Sequence, residues 1–437
     1  MVQPFLAVLL NLSSSYKACV LRQAAPPLPA LLPFTKRIPA ASNKPKRNSP
    51  VRGKLCCSER CKVSADHSQR TIRPKNWGNR PWSVNFRAKS QPLPETVDFA
   101  VVGGGFTGLA AAAWLKRLAS GKSVALLEAE TFGSGASGHT GGMALAESAA
   151  GNLPGLGDVL SGYQKILDEL RVDGDVHLPG VYELGRTAPL KNSPIQWSDS
   201  GDLRAVNEVA GGTIDPGKVV TGLAATAERS GVLLFEHAKV ERCDFQTPLS
   251  LHTPLGTFRA RQVLFATNAY SLELTGWTQR AESCFTIAVA TEPLNDSTLQ
   301  EIGLAHGKPF YTVDLPYLWG RLLGKQAIFG SGLVHFADWR EMHSLSVESG
   351  LAAEAFARLE DRIGNLHPKL QGVEFTNRWG GPIAISQGWV PIFERHPKSS
   401  NAIVLGAYSG HGVAQSVYLG AWAAEALLGK RELPKWQ

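Results

Sequence analysis

Apolar residues crowd at Val101 and Val102, stop at Gly103-Gly104-Gly105-Phe106-Thr107-Gly108, and resume in the alanine-rich segment Leu109 to Leu118. A short apolar run cut by glycines and followed by strong helix formers predicts a strand, a tight turn and a helix. Gly121 stops that helix, and a second apolar run, Val124 to Leu127, predicts another strand that ends in Glu128. Residues 156–170 repeat at helical spacing, and residues 181–184 alternate as a strand does. Asp215-Pro216 predicts a helix start, because Asp accepts hydrogen bonds from free N–H groups and Pro fits the first helical position. Val219, Leu223 and Ala227 continue one face of it as far as Gly231. Residues 232–235 predict a strand, residues 249–264 two strands around Pro254-Leu255-Gly256, and residues 263–269 a buried strand leaving into a small-residue turn.

The pattern then changes. Between residue 283 and about residue 390, strands are predicted at 285–291, 326–334 and 373–379, with one helix from about 347 to 359. The aromatics Tyr311, Tyr317, Trp319, Trp339, Trp379 and Trp389 fall in this region, which reads as a mostly antiparallel sheet forming the substrate side of a pocket. Residues 402–405 predict a strand, Gly406-Ala407-Tyr408-Ser409-Gly410-His411-Gly412 a third glycine turn, and residues 413–428 a closing helix.

Gly103, Gly105 and Gly108 match the spacing G-x-G-x-x-G, which gives a sharp turn, close approach of backbone N–H groups to a pyrophosphate, and close packing of helix on strand. Glu128 lies 20 residues beyond Gly108, where an acid can accept the hydroxyls of an adenosine ribose. A second run of small residues, Phe132 to Met143, follows directly. A nicotinamide-binding dehydrogenase does not need it, whereas a cofactor with a second bulky ring system does, because small residues let the backbone run along it. The helix N-terminus after the third turn carries partial positive charge, suited to the pyrimidine end of a flavin.

Composition narrows the partners. The formal net charge is +8, but nine of the 45 Lys and Arg precede Glu59, the first acid, so the remainder carries 36 basic against 37 acidic residues. A near-neutral body gives no reason to expect a nucleic-acid partner. The tail is rich in Ser, Pro, Ala, Lys and Arg and reads as a transit peptide for the chloroplast stroma, with the mitochondrion as the alternative. No apolar run approaches the ~18 residues needed to span a bilayer. Four of the six cysteines lie in the tail, and Cys56, Cys57 and Cys61 lack a second ligand pair, so no metal site is expected. Cys243 and Cys284 are too few for a disulfide framework.

Three glycine turns in this order, separated by an antiparallel insertion, resemble the FAD-dependent D-amino-acid oxidase family in its broad sense. The γ-glutamylputrescine oxidoreductase, glycine oxidase and sarcosine oxidase branches are the most similar. The likeness covers roughly residues 80–437 and is carried by residues 102–108 with Glu128, by 135–143, 266–270 and 408–413, and by Trp379-Gly380-Gly381-Pro382. It implies an α/β fold, α+β overall, with a discontinuous Rossmann-like FAD-binding domain around a parallel sheet and an antiparallel-sheet substrate domain. The expected boundaries are a transit segment at 1–75, an arm at 76–95, FAD-binding parts at 96–155, 201–275 and 386–437, and substrate parts at 156–200 and 276–385.

The resemblance also implies activity: oxidation of the C–N bond of an amino acid or secondary amine by hydride transfer to FAD, with oxygen or another electron acceptor. The alternatives are a non-catalytic flavoprotein of the same fold and a dehydrogenase that does not use oxygen. For FAD, the resemblance implies Gly103, Gly105, Phe106, Thr107, Gly108, Glu128, Ala129, Ser137, Gly138, His139, Thr140, Gly141, Gly142, Met143, Val240, Thr267, Asn268, Trp379, Gly380, Gly410, His411, Gly412 and Val413. Tyr317, Arg321 and His411 are the expected catalytic set: Arg321 as an anion clamp through two parallel hydrogen bonds, Tyr317 with Trp319 as pocket walls, and His411 as a positioning residue ahead of a proton carrier. Two positions depart from the family: His139-Thr140 stands where many relatives carry Arg-Asn, which raises a covalent flavin link at His139, and Lys325 poorly matches the lysine that sarcosine oxidases use with oxygen.

Overall fold

The computed structural model describes residues 75–436, apart from residues 315 and 337. The expected transit segment and Cys56, Cys57 and Cys61 lie outside the described residues. One sheet is built on the first strand, Thr96–Val102, which pairs in parallel with Val124–Leu127 on one side and Gly256–Phe265 on the other. Leu233–Phe235 extends the parallel pairing beyond Val124–Leu127, and Ser399–Gly406 extends it beyond Gly256–Phe265. The edge strand Ile392–His396 and the short strands Leu249–Thr253 and Arg242–Asp244 add antiparallel pairs. Helices cover both faces of such a sheet, which explains why Val124–Leu127 is wholly buried and apolar rather than alternating.

The first helix, Phe106–Leu118, is buried from Phe106 to Leu115. Its alanines let the closing helix, Gly412–Leu427, approach so closely that Gly420 lies on the Thr107 carbonyl. Both helices are apolar all round because both are interior. Helix Pro216–Arg229 begins as its sequence predicts, with Asp215 accepting from the Lys218 N–H at 2.9 Å. Helix Val159–Leu170 starts three residues later than its apolar spacing suggests, because Asp158 caps the Ser161 N–H at 3.0 Å.

The second sheet has eight strands in the order Phe375–Ser386, Ala281–Pro293, Gln326–His335, Trp319–Leu323, Phe310–Thr312, Val181–Gly185, Asp202–Val209 and Gln196–Ser198. Helix Gly350–Leu366 lies against it through Phe356, Leu359, Ile363 and Leu366. The pattern reading missed eight strands: Met143–Leu145, Gln196–Ser198, Asp202–Val209, Gly211–Thr213, Arg242–Asp244, Phe310–Thr312, Trp319–Leu323 and Ile392–His396. It also set a boundary at 201 that assigned Asp202–Val209 to the cofactor portion. That strand belongs to the antiparallel sheet, because it pairs with Val181–Gly185 and buries Leu203 and Ala205 there.

The arm at 76–95 has little regular structure, yet its tryptophans are buried. Trp77 donates to the Met342 carbonyl at 3.1 Å, and its own carbonyl accepts from Gly380 at 3.0 Å. Cys243 and Cys284 are free and buried. No helix among the described residues is long and apolar enough to cross a membrane.

Candidate active site

The neighbouring parallel strands Thr96–Val102, Gly256–Phe265 and Ser399–Gly406 end together, and each runs into one of the small-residue turns. In an open α/β sheet this carboxyl edge is where a ligand settles. At the first turn Gly103 has φ of 109°, a left-handed value that glycine adopts without strain. A Cβ on Gly108 would overlap the Gly103 carbonyl oxygen, so glycine there is what allows the helix to start against the loop. Glu128 closes the first turn from the side: its carboxylate accepts from the Gly104 N–H at 2.7 Å and the Glu130 N–H at 2.9 Å. Burial raises its pKa above the usual carboxylate range, against the lowering effect of those two N–H groups. Val240 is buried in the segment that follows the strand Leu233–Phe235, where Ala238 donates to the Glu128 carbonyl at 2.8 Å. Ala129 is exposed beside it.

The second loop is docked on the first. Ser137 Oγ accepts from the Phe106 N–H at 2.9 Å, next to Gly105. Two indoles hold its other side: Trp82 donates to the Gly138 carbonyl at 2.8 Å and Trp379 to the His139 carbonyl at 3.0 Å. The rings of Trp82 and Trp379 meet edge to face at 5.4 Å. His139 Nδ1 lies 2.9 Å from the Gly135 carbonyl, which can only accept, so Nδ1 carries the proton and Nε2 accepts from Arg80 at 3.0 Å. Loss of hydration and the Arg80 charge push its pKa down to about 3. Thr140 Oγ1 accepts from Gly142 at 3.3 Å, and Met143 opens the short strand Met143–Leu145.

The third turn completes the edge. Thr107 and Tyr408 hydroxyls are 2.8 Å apart, and Asn268 accepts from the Ala407 N–H at 2.9 Å. Gly410 has φ of 90°, and His411 precedes the closing helix that begins at Gly412 and Val413. Thr267 Oγ1, His411 Nδ1 and both polar atoms of the Gln415 side chain are buried there without a hydrogen-bond partner among the described residues. Unpaired buried polar atoms are costly, and their position at the open strand ends fits a polar group received from a ligand. The glycine cradle, the buried acid at Glu128 and these orphaned atoms together fit FAD.

Comparison with known proteins decides the family. The model of the FAD dependent oxidoreductase family matches residues 98–426. The chain belongs to that family. Two curated relatives are similar over most of their length. Gamma-glutamylputrescine oxidoreductase of Escherichia coli K12 is 27% identical, covering 80% of this chain and 88% of its own. A probable oxidoreductase, OrdL, of Rhizobium meliloti is 26% identical, covering 78% and 85%. Among solved structures, glycine oxidase from Geobacillus kaustophilus aligns with a TM-score of 0.61 at 20% identity, over 78% of this chain and 96% of that one. L-amino acid deaminase from Proteus vulgaris aligns with 0.62 at 15% identity, over 80% and 97%. The enzyme is an FAD-dependent oxidoreductase with the fold of these proteins.

The antiparallel sheet closes over the second loop. Trp379, Ala288, Gly330 and Trp319 are successive cross-strand neighbours, so they share one face. The Trp319 indole lies between Gly330 and Gly141, occupying the space a Cβ on either would need. Gly380, one residue along from Trp379, is packed by Phe285. Trp319, expected as a pocket wall, is in contact with Gly141 of the second loop.

The other expected substrate residues are placed differently. Arg321 is 4% exposed and donates to the Ile214 carbonyl at 2.6 Å and the Gly142 carbonyl at 3.3 Å. Its guanidinium braces the sheet to the cofactor loop and is not free as an anion clamp; burial lowers its pKa to about 10. Tyr317 is 41% exposed, so it is not an enclosed wall, although its carbonyl is held by Ser331 Oγ and by Arg362 at 2.7 Å. Burial keeps His411 neutral by lowering its pKa, which suits positioning better than proton transfer. Lys325 is on a hairpin tip, paired with Asp296 at 3.0 Å. The residues that sequence reasoning missed are Trp82 and Arg80 in the arm. Their signal was present as apolar and cationic residues in a segment without periodicity, but nothing local said what they touch.

Proposed function

We propose that this enzyme oxidises the C–N bond of an amine or amino acid. FAD, when bound, accepts a hydride from the carbon beside the amine nitrogen, and the imine left behind hydrolyses in water. The chain's part is to hold and orient. Gly103, Gly105 and Gly108 receive the pyrophosphate, Glu128 the ribose, residues 137–143 the ring system, and the start of the closing helix supplies fixed positive potential. Trp319 is the observation that carries the reading: a broad aromatic surface from the antiparallel sheet rests on the cofactor loop and excludes water from a small substrate. The relatives' names, a gamma-glutamylputrescine oxidoreductase and a glycine oxidase, support the same reading.

The deciding measurement is the visible spectrum of the flavin-loaded protein before and after anaerobic addition of amino acids and secondary amines. Bleaching is expected, and admission of air then separates oxygen from another electron acceptor by the rate of recovery. A flavin spectrum unmoved by every amine would overturn catalysis in favour of a binding or assembly role. We also propose import into plastids, supported by the basic, proline-containing tail, whose first 58 residues hold no acid; a fluorescent fusion of residues 1–75 that accumulated elsewhere would end that proposal.

A further inference from the structure

The row of side chains that carries Trp319 continues across the sheet into charge. Strand pairing sets Trp319 opposite Tyr311, Tyr311 beside Glu183, and Glu183 opposite Asn207. Residues so paired share a face. Contacts agree: the Tyr311 hydroxyl donates to Glu183 Oε1 at 2.6 Å, and Asn207 donates to Oε2 at 2.8 Å. Trp319 fixes which face this is, since its ring lies on Gly141 of the cofactor loop. Glu147 lies two residues past the strand Met143–Leu145 and is half-buried. Its carboxyl is held above the usual range by burial and then by the Glu183 charge.

Among the described residues, no ion pair joins a cation to Glu183 or Glu147 within 4 Å. Lys308 pairs with Glu208 at 2.6 Å, one register position away and so on the opposite face of the sheet. Arg321, two residues beyond Trp319, keeps its charge and directs Nη1 at the Gly142 and Ile214 carbonyls. The face over the cofactor loop therefore offers the acids Glu183 and Glu147 beside the rings of Tyr311 and Trp319. A carboxylate brought here would meet like charge, whereas an ammonium would relieve the repulsion between Glu147 and Glu183 and lie against the faces of Tyr311 and Trp319.

We infer that Glu183, supported by Glu147, is a specificity-determining residue that selects substrates with a second cationic group away from the reacting amine. The substrate class is a diamine or an aminoalkyl compound with a charged tail, in preference to a simple amino acid. This rests on the proposed amine oxidation at the same site, and the tests are chosen to separate the two.

The first test is turnover with a diaminoalkane and with a monoamine of equal chain length. The wild-type protein is expected to favour the diamine by about tenfold or more in kcat/KM, and Glu183→Gln to remove most of that preference while changing the monoamine less than about threefold. Equal losses on both substrates, or no wild-type preference, would overturn the inference. The second test needs no turnover: perturbation of the flavin spectrum by a bis-quaternary ammonium alkane and by its mono-quaternary counterpart. Tighter binding of the doubly charged probe, weakened by Glu183→Gln and by Glu147→Gln, supports the inference; equal binding sinks it. If no amine bleached the flavin, amine oxidation would fall, and this titration would still decide whether the face selects a second cation.

Discussion

Two residues show how a side chain's partners overrule its chemical type. Arg321 has the group an anion clamp requires, but its Nη1 donates to both the Gly142 and the Ile214 carbonyls. Arg321→Met should therefore lower stability by about 2–3 kcal/mol, the scale of leaving buried acceptors unpaired, and should accelerate flavin loss. A clamp would instead give an unchanged Tm with a raised KM for anionic substrates, so melting curves and KM together decide. His139 has both ring nitrogens engaged, with Gly135 and Arg80, which leaves neither free for a bond to flavin. Acid precipitation is expected to release all the yellow colour into the supernatant; colour retained in the pellet would establish the covalent link. The same residue predicts acid sensitivity. Its folded-state pKa of about 3 lies below the ordinary 6.5, so the unfolded chain takes up the proton first as pH falls. The stability is complete above about pH 6.5 and is lost towards pH 3, by up to about 1.4 kcal/mol per pH unit. His139→Gln should flatten the fall of Tm between pH 6 and 4 relative to the parent protein.

At the level of elements, the joints matter more than the spans. The first helix can begin where it does because Gly108 has no Cβ to meet the Gly103 carbonyl. Gly108→Ala must push helix and loop apart, and is expected to abolish FAD binding, read as loss of the flavin spectrum in protein that still shows the parent's far-UV circular dichroism. Trp82 is the corresponding joint on the sheet side; Trp82→Phe keeps the ring against Trp379 but loses the bond to Gly138, a cost of about 1 kcal/mol in denaturant titration. These joints also explain what the sequence did and did not reveal. Thr96–Val102, the glycine turn, its helix and Glu128 are contiguous and governed by local rules, so they were readable. Phe310–Thr312 and Trp319–Leu323 have three and five residues, too short for a period to show, and exist because neighbours distant in sequence pair with them. Glu183 and Glu147 were silent for the same reason: cross-strand register, not spacing along the chain, brings an acid into line with Trp319.

For the whole molecule, the cofactor edge is assembled from pieces far apart in the chain. Turns after Val102, Phe265 and Gly406 meet at one edge, and the closing helix packs on the first helix across the length of the body. A ligand that bridges all three turns binds only when the ends of the chain have come together, so its binding free energy adds to folding. With free FAD at a hundredfold excess over its dissociation constant, linkage gives about 2.7 kcal/mol of stabilisation. The apoprotein should accordingly melt lower than the loaded enzyme, with a Tm that climbs with each increment of added FAD. A nicotinamide dinucleotide at the same concentration should leave the Tm unmoved, because the orphaned polar atoms of Thr267, His411 and Gln415 lie past Phe265 and Gly406, on the far side of the edge from the ribose acid Glu128. An equal shift with both nucleotides would mean that binding energy comes from the first glycine turn alone, and would remove the reason for assigning the second and third turns to the flavin half of the cofactor.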